Sequence, residues 1–334
     1  MKVACLGAGY FAQFHYDAWR RMKNVELVGS CDTDRGKAVA TGAPAFADLG
    51  DMLRSASPDI LDIITPPQTH AAAIEAGIAA GVKLIICQKP FCASLTEARR
   101  MTTRASEAGI PLIIHENFRF QPWYRTAKSL IDDGKIGTPM QLTFRLRTGD
   151  GQGPEAYLDR QPYFQNMERL LVHETAVHWI DTFMYFFGRP TAVYADLRQL
   201  NPDIAGEDAG HILFEFPDGR RALFDGNRHL DHAGDNPRLT LGEGLFEGAE
   251  GSLLLTGNGE LYLRRFGETD AACVLPATSY QGFAGDCVYA LQKHALMCLE
   301  SGQAFTNPAA DYLLVREIED AIYRSNATGA RVEV

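Results

Sequence analysis

Short apolar runs and longer stretches of helical periodicity alternate along the first third of the chain. The apolar runs, each long enough for one buried strand, occupy 2–6, 25–31, 59–65, 82–87 and 111–115. The helical patterns between them occupy 11–22, 35–40, 48–55, 70–80 and 94–108. Ser94 and Glu97 form a capping box, and Pro66 ends the third run because proline cannot continue a strand ladder. This alternation predicts a doubly wound, parallel sheet covered by helices.

The second part of the chain follows a different pattern, rich in strands. Helical patterns lie at 123–133, 170–187, 286–301 and 308–325. Strand patterns lie at 140–147, 192–197, 211–216, 221–227, 238–241, 252–256 and 260–265. Turn sequences at 217–219 and 257–259 indicate hairpins, and 149–161 is typical of a long polar loop. We therefore predict two domains: an α/β domain over 1–121, and an α+β domain over 122–334 with a large, mostly antiparallel open sheet.

Composition narrows the class of protein. The 334 residues are 46% hydrophobic and 22% charged, the balance of a globular protein. The net charge of -10 disfavours nucleic acid and anionic membrane surfaces as partners, and no apolar run approaches the roughly 20 residues of a membrane span. The seven cysteines show no Cys-x-x-Cys pair or zinc spacing, and the first strand starts at once. We expect no signal peptide, no metal site, reduced thiols and a cytoplasmic location.

A glycine turn, GAGYFA, joins the first strand to the first helix. Gly7 permits the tight turn, Gly9 lets a pyrophosphate approach the backbone, and Ala12 packs the helix against the strand. The helix N-terminus favours an anion there. Asp32 ends the next strand, where a carboxylate binds the ribose 2′-hydroxyl of NAD and repels the 2′-phosphate of NADP. Arg35 keeps NADP open as the alternative, and a glycine-rich turn in an ordinary α/β domain is the alternative to dinucleotide binding.

The carboxyl ends of parallel strands meet at one edge of a sheet, where ligands of doubly wound folds bind. The glycine turn, Asp32, the Thr-Pro-Pro segment, the Gln-Lys-Pro segment and Asn117 all follow predicted strands. The residues expected at the cofactor are Gly7, Gly9, Phe11, Ala12, Asp32, Thr65, Pro66, His70, Gln88, Lys89 and Asn117. NAD is therefore the expected cofactor.

Two further motifs have the chemistry of a catalytic site. Lys89 follows a strand and is held by Pro90, so a cofactor crevice would make it available for proton transfer or for binding a substrate hydroxyl. Glu174 and His178 are four residues apart on a predicted helix, where a carboxylate orients an imidazole as a general base. The alternatives are a surface lysine, a buried ion pair, and half of a metal site without an evident third ligand. His173 is out of phase and is expected to pack or to line the cleft.

Other polar groups are candidates for substrate contacts. Asn117 and Arg119, with Arg145 and Arg147, carry amide and guanidinium groups suited to sugar hydroxyls or the nicotinamide amide. Surface salt bridges are an equal alternative for Arg145 and Arg147. The polar run 227–232 follows a strand and would line a substrate pocket or form an ordinary loop.

The order of these motifs resembles the Gfo/Idh/MocA oxidoreductase family, over essentially the whole chain. The resemblance rests on Gly-x-Gly-x-x-Ala, Thr-Pro-Pro followed by a histidine, Gln-Lys-Pro, Asn-Phe-Arg-Phe and an acid-x-x-x-His helix. The family's usual Glu-Lys-Pro places its lysine on Lys89 and its glutamate on Gln88. Its Asp-x-x-x-His places the acid on Glu174 and the histidine on His178. The departures at Gln88 and Glu174 affect the tuning of proton transfer, while Lys89 and His178 are retained.

The resemblance implies a Rossmann domain and a sugar dehydrogenase. His178, oriented by Glu174, would take the substrate's hydroxyl proton while a hydride leaves the same carbon for the nicotinamide, and Lys89 would stabilise the developing alkoxide. The implied substrate residues are Lys89, Asn117, Arg119, Gln165, Glu174 and His178. We expect a small unphosphorylated aldose oxidised at C1 to a lactone, with a pentose such as apiose as the first choice, and a homodimer or homotetramer. An inositol or polyol dehydrogenase, a glycosidase-like enzyme with tightly bound NAD, and an NAD-binding regulator remain alternatives.

Overall fold

The computed structural model describes residues Met1–Val334 and divides into two compact units. Unit 1 comprises Met1–Asn117 and Asp286–Arg316, and unit 2 comprises Phe118–Gly285 and Glu317–Val334. The domain predicted from the sequence over 122–334 included every residue after 121, whereas Asp286–Arg316 belongs to unit 1. None of the helices has the length and apolar character needed to cross a membrane.

Unit 1 contains a six-stranded parallel sheet. Its strands are β1 (Lys2–Leu6), β2 (Glu26–Cys31), β3 (Ala45–Phe46), β4 (Ile60–Ile63), β5 (Leu84–Gln88) and β6 (Leu112–His115). Their spatial order is β3-β2-β1-β4-β5-β6, so the order reverses between β1 and β4. That is the switch point at which doubly wound folds bind dinucleotides. The predicted fold class is confirmed for this unit.

Five helices of unit 1 connect these strands. They are α1 (Ala12–Arg20), α2 (Arg35–Ala40), α3 (Leu49–Ala56), α4 (His70–Ala80) and α5 (Leu95–Glu107). Side-chain caps begin three of them: Asp34 accepts from Gly36 N–H, Asp48 from Asp51 N–H and Ser94 from Glu97 N–H. The predicted Ser94 cap is confirmed. By contrast, no side chain caps α1, which follows the glycine turn.

Unit 2 contains a nine-stranded sheet. Its strands are β7 (Pro139–Leu146), β8 (Ala192–Arg198), β9 (Ala209–Glu215), β10 (Arg221–Asn227), β11 (Gly242–Gly248), β12 (Gly251–Leu255), β13 (Leu261–Arg265), β14 (Ala272–Leu275) and β15 (Val332–Glu333). Their order is β14-β13-β12-β11-β7-β10-β9-β8-β15. Only the central pair β7 and β10 is parallel, and the other pairs are antiparallel, as expected.

The strand predicted at 238–241 is wrong. These residues form a turn, and the strand starts later, at β11. β11 contains three glycines, which disfavour a strand, but it lies between β7 and β12 and pairs with both. Pairing with two neighbours overrides the weak local propensity.

The remaining helices are α6 (Pro122–Asp132), α7 (Val177–Phe187), α8 (Phe283–Ser301) and α9 (Ala309–Thr328). A π-helical turn, Leu171–Ala176, precedes α7. Aromatic rings join α7 to the sheet, because Trp179 packs on Phe144 of β7 and Phe224 of β10, and Phe183 on Phe214 of β9. The apolar face of the 170–187 segment therefore covers one face of the sheet of unit 2.

Candidate active site

The glycine turn of unit 1 has the geometry of an anion site. Gly7 has φ +105°, and a Cβ there would lie 2.6 Å from the carbonyl oxygen of Ile64. Gly9 is exposed, and a Cβ at that position would meet no atom within 4 Å. No side chain caps α1, and its first N–H groups point to backbone carbonyls, with Ala12 donating to Gly9 at 3.1 Å and Phe14 to Phe11 at 3.2 Å. The positive end of the helix dipole at this N-terminus favours a pyrophosphate. The residues present therefore fit the diphosphate of a dinucleotide.

Asp32 lies at the end of β2, beside that turn. Its Oδ2 accepts the Ala8 N–H at 2.8 Å, and its Oδ1 accepts the Asp34 N–H at 2.9 Å. These two backbone donors orient the carboxylate next to the glycine turn, as a ribose-binding acid requires. Arg35, the exposed first residue of α2, lies three positions further along the chain.

His70 has a different role from the expected direct cofactor contact. It is fully buried, its Nε2 donates to the Thr65 carbonyl at 2.7 Å, and its Nδ1 accepts the Cys92 N–H at 3.3 Å. Burial lowers the pKa of His70 to about 4, although the Thr65 bond acts in the opposite direction. Both ring nitrogens of His70 bond to backbone groups, so His70 supports the Thr65-Pro66 segment through its hydrogen bond to the Thr65 carbonyl. Thr65 is partly exposed and Pro66 is exposed, and Thr65 Oγ1 accepts the Thr69 hydroxyl at 2.6 Å.

Gln88 and Lys89 stand at the end of β5. The Gln88 side chain is 7% exposed, and its Oε1 accepts the Lys89 N–H at 2.9 Å. Lys89 is partly exposed, and its peptide bond to Pro90 is cis. The Gln88 side chain before Lys89 and the Pro90 ring after it thus restrain the backbone that carries the Lys89 ammonium.

Asn117 lies deeper than expected for a ligand contact, whereas Phe11 packs on neighbouring rings of α1. Asn117 is 2% exposed, and its amide donates to the Cys287 sulfur at 3.2 Å. Phe11 is partly buried, with its ring 5.3 Å from that of Phe14 and 5.7 Å from that of His15. The structure therefore places the Asn117 side chain inside unit 1.

In unit 2, His178 lies in the first turn of α7 and is 8% exposed. Its ring stacks on Phe118, with 3.9 Å between centroids and 5° between planes. Trp179 meets the same Phe118 ring edge-on at 5.3 Å. The aromatic stack restricts rotation of the imidazole, as a positioned acid–base group requires.

Glu174 lies in the π-helical turn, outside α7. The prediction that Glu174 and His178 share a face assumed an α-helix throughout, but a π turn is wider and changes that spacing. Desolvation raises the pKa of the Tyr163 phenol, and the negative charge of Glu174 raises it further, so the Glu174 carboxylate lies near Tyr163. The orienting role of Glu174 toward His178 stays a prediction.

A buried ion pair supports the same turn. Arg228 is 5% exposed, and its guanidinium donates to Thr175 Oγ1 at 2.9 Å and to Asp150 Oδ2 at 2.8 Å. Burial acts to lower the pKa of Arg228, but Asp150, Tyr157 and Glu174 raise it by more. The sequence drew attention to Arg228 only as part of a polar run, because its partners come from distant segments of the chain.

Arg119, an expected substrate residue, is held by another side chain. Its Nε donates to Asp181 Oδ2 at 2.7 Å, a second guanidinium nitrogen contacts Oδ1, and the Tyr185 ring lies 5.5 Å away. Arg147 donates to the side chain and the carbonyl of Asp225. Both arginines form ion pairs within unit 2, and the Arg147 pair is buried rather than the surface salt bridge that the sequence left open. The substrate contact of Arg119 stays a prediction.

Gln165 and Arg145 also bond within unit 2. The Gln165 amide donates to the carbonyls of Pro154 and Ala156 at 2.8 and 2.9 Å, which secures the 149–161 loop. Arg145 lies 3.5 Å from Glu243 on the neighbouring strand and is 55% exposed. Both side chains have polar partners that account for them without a ligand.

Unit 1 thus has the sheet order, the open glycine turn and the strand-end carboxylate of a dinucleotide-binding domain. Residues 1–115 match the model of the Gfo/Idh/MocA oxidoreductase family with an NAD-binding Rossmann fold, and residues 124–243 match a C-terminal domain of the same family. The chain belongs to the Gfo/Idh/MocA oxidoreductases. The predictions of this family, of a Rossmann domain and of an NAD-binding oxidoreductase are confirmed.

Curated relatives match the chain along its full length. The chain is 32% identical to a D-apiose dehydrogenase of Paraburkholderia graminis, over 100% of this chain and 89% of that one. It is 28% identical to a D-apiose dehydrogenase of Rhizobium rhizogenes, over 100% and 97%. Among solved structures, an oxidoreductase from Agrobacterium radiobacter in complex with NAD+, L-tartaric acid and magnesium superposes with a TM-score of 0.90, at 27% identity and with 100% and 98% coverage.

Proposed function

We propose that the protein is an NAD-dependent dehydrogenase of a small unphosphorylated sugar, which oxidises an aldose at C1 to a lactone, with D-apiose as the first substrate to test. The observation that carries the proposal is full-length similarity to two D-apiose dehydrogenases in a chain that retains both Lys89 and His178. An oxidised C1 hydroxyl gives a lactone only in a cyclic aldose, so the class of product follows from the class of substrate.

Lys89 is proposed to bind the hydroxyl that is oxidised. An ammonium group donates a hydrogen bond to the substrate oxygen and stabilises the negative charge that develops on it. The restrained Gln88-Lys89-Pro90 segment supports this role, because an oriented donor needs little reorganisation when the charge appears.

His178 is proposed to accept the hydroxyl proton. The O–H bond breaks, the proton moves to the imidazole, and the electron pair of that bond forms the second C–O bond of the product. When bound, NAD supplies the acceptor for the hydride that leaves C1. The stack on Phe118 holds the imidazole plane, and Glu174 is proposed to orient the ring.

Gly7, Gly9 and Asp32 are proposed to hold the dinucleotide. The fit of the glycine turn supports a dinucleotide. The orientation of the Asp32 carboxylate supports NAD over NADP, since a 2′-phosphate would meet a carboxylate. Phe11, Thr65, Pro66 and Gln88 are proposed to line the same site.

A substrate screen at 340 nm tests the proposal. Purified protein with NAD or NADP is offered pentoses including D-apiose, hexoses, inositols and sugar acids. We expect NADH formation with an aldose and loss of that signal in Lys89→Ala and His178→Ala. His211→Ala is the matched control, because the His211 side chain is 50% exposed and has no proposed part in the reaction.

The other outcomes separate the alternatives. NADH formation with inositol alone would replace the aldose with a secondary alcohol as the substrate. Cofactor that copurifies and is never turned over would favour a glycosidase-like or regulatory role. A signal with NADP alone would assign the selectivity to Arg35 rather than to Asp32.

The open face of the sheet of unit 2 supports a homo-oligomer. Strand register places a row of side chains in direct cross-strand contact on this face: Tyr194, Leu213, Leu223, Thr143, Leu245, Leu254 and Tyr262. Tyr194 and Leu254 are 43% and 46% exposed. We propose that a second copy of the chain covers this row, because a long, partly exposed and mostly apolar row is unfavourable in water. Light scattering should give a multiple of the 36.8 kDa chain mass, and Leu223→Lys should give the monomer.

The protein is proposed to act in the cytoplasm. All seven cysteines are free, including the exposed Cys273, as expected in a reducing compartment. Fractionation of the source cells, followed by immunoblotting with a periplasmic marker as control, tests this location.

A further inference from the structure

A chain of buried polar side chains lies within unit 1, beside the Gln88-Lys89 peptide. The Gln88 Nε2 is 2.9 Å from His15 Nε2, and His15 Nδ1 is 2.8 Å from Asp62 Oδ2. His15 and Asp62 are both fully buried. The chain therefore connects the end of β5, through α1, to β4 in the interior of the sheet.

The direction of each hydrogen bond in this chain follows from one backbone group. The Lys89 N–H is a donor in every protonation state, so the Gln88 atom at 2.9 Å from it must be the carbonyl oxygen. The Gln88 amide nitrogen then faces His15 Nε2, which must accept. His15 therefore carries its proton on Nδ1 and donates it to Asp62. The Lys89 N–H thus determines the tautomer of His15 through two successive hydrogen bonds.

Asp62 is anchored as the acceptor at the inner end. Its Oδ2 accepts three hydrogen bonds: from His15 Nδ1, from Trp19 Nε1 at 2.8 Å and from Gln292 Nε2 at 3.2 Å. An oxygen with three donors has no place for a proton, so Asp62 cannot reverse the direction of the chain through this atom.

The other ionisable groups near the chain leave this assignment intact. His115 of β6 packs on His15, with ring centroids 4.1 Å apart, and its Nδ1 is 3.5 Å from the Gln88 amide nitrogen. Burial, with the charge of Asp62 as a smaller contribution, raises the pKa of the Cys5 thiol well above its usual range, and burial does the same for Cys87. Both thiols are therefore neutral at physiological pH.

We propose that Asp62 and His15 are positioning residues for Lys89: they lock the Gln88 amide so that its carbonyl holds the Lys89 peptide N–H. The proposal rests on the function proposed above for Lys89. None of the three side chains contacts substrate in this scheme. Asp62 orients His15, His15 orients Gln88, and Gln88 restrains the peptide from which the Lys89 side chain projects.

The same geometry explains why position 88 carries an amide. In Gln88→Glu, one carboxylate oxygen still accepts the Lys89 N–H, but the other faces the lone pair of His15 Nε2. Two acceptors repel each other, and the simplest relief is a second proton on His15, which would then lie between two carboxylates. A single atom change is thus expected to convert a neutral imidazole into an imidazolium.

Nitrogen-15 NMR of the histidine side chains tests the proposal without substrate or cofactor. His15→Gln identifies the His15 resonances among the nine histidines. We expect the Nδ1–H tautomer in the wild-type protein and an imidazolium in Gln88→Glu at pH 7.5. His294→Gln is the control, because its ring bonds to Thr306 in another part of unit 1. A wild-type His15 protonated on Nε2 would overturn the proposal.

Kinetics with the substrate found at 340 nm tests the effect on Lys89. Gln88→Asn stays neutral but is too short to bridge Lys89 N–H and His15. We expect both Gln88→Asn and Gln88→Glu to lower kcat at least about ten-fold while KM changes less than about two-fold. If Gln88→Asn keeps full kcat, charge rather than positioning is the cause and the proposal is wrong. If Gln88→Glu does not fold, Gln88→Asn alone decides.

The two proposals fail in different ways. A wild-type protein that turns over no sugar, yet shows His15 as the Nδ1–H tautomer, would refute the proposed dehydrogenase and support the hydrogen-bond chain. Turnover with the other tautomer would do the reverse.

Discussion

Unit 1 and unit 2 present their candidate residues in opposite ways. In unit 1 the anion site consists of backbone: Gly7 with its positive φ, the exposed Gly9 and the uncapped start of α1. In unit 2 the candidate site consists of side chains, His178 on Phe118 and Glu174 near Arg228, whose positions depend on packing. A site made of backbone groups can be predicted from consecutive residues. A site made of side chains depends on contacts between residues that are distant in the sequence.

The largest effect is expected from removal of His178. His178→Ala should lower kcat by roughly 10²–10⁴-fold, the range for a general base, while the affinity for NAD, which unit 1 determines, stays unchanged. Stopped-flow kinetics and calorimetric titration with NAD measure the two quantities separately. A loss of NAD affinity equal to the loss of kcat would contradict the assignment of NAD binding to unit 1 and of the general base to unit 2.

Substitution of two glycines of the same turn is expected to affect different properties, stability for Gly7 and NAD affinity for Gly9. Gly7→Ala should lower the free energy of unfolding by roughly 1–3 kcal/mol, because φ is +105° and the new Cβ would meet the Ile64 carbonyl. Gly9→Ala meets no atom within 4 Å, so its stability should be unchanged while NAD binds at least about ten-fold more weakly. Urea unfolding and NAD titration of both variants make the comparison. Equal NAD affinity in Gly9→Ala and the wild type would remove the proposed pyrophosphate contact.

The sequence was most informative where backbone conformation is local. The glycine turn, Asp32, the Ser94 cap and the parallel sheet all follow from short patterns, and the structure agrees with each. The glycine-rich β11 and the π-helical turn before α7 have no such pattern, because partners elsewhere in the chain stabilise them. Distant partners also explain why Arg119 and Gln165 were predicted as substrate residues. Their polar groups looked available in the sequence, but in the structure they bond to Asp181 and to loop carbonyls.

A smaller effect is expected from His70, the buried histidine behind Thr65. Its pKa is about 4 in the folded protein and about 6.5 in an unfolded chain, so the unfolded state binds the proton first as the pH falls. Stability is unaffected above pH 6.5 and decreases from there to about pH 4, by up to about 3 kcal/mol. His70→Gln should make this part of the stability profile shallower, as measured by urea unfolding at several pH values. The exposed His211, replaced by Gln, is the control, and an unchanged slope in His70→Gln would contradict the buried neutral state.

The smallest effect is expected at Arg145, and Arg119, a similar candidate in the sequence, provides the comparison with a buried ion pair. Arg145 is 55% exposed and lies 3.5 Å from Glu243, so Arg145→Ala should change the free energy of unfolding by less than about 1 kcal/mol and leave KM unchanged. Arg119 pairs with Asp181, which is 4% exposed, so Arg119→Ala removes the guanidinium from a buried carboxylate and should cost about 3–5 kcal/mol. Urea unfolding measures both variants, and the double variant Arg119→Ala with Asp181→Ala should recover part of the loss. If Arg119→Ala raises KM at unchanged stability, the Arg119 guanidinium binds substrate, and Arg119 is a functional rather than a structural residue of unit 2.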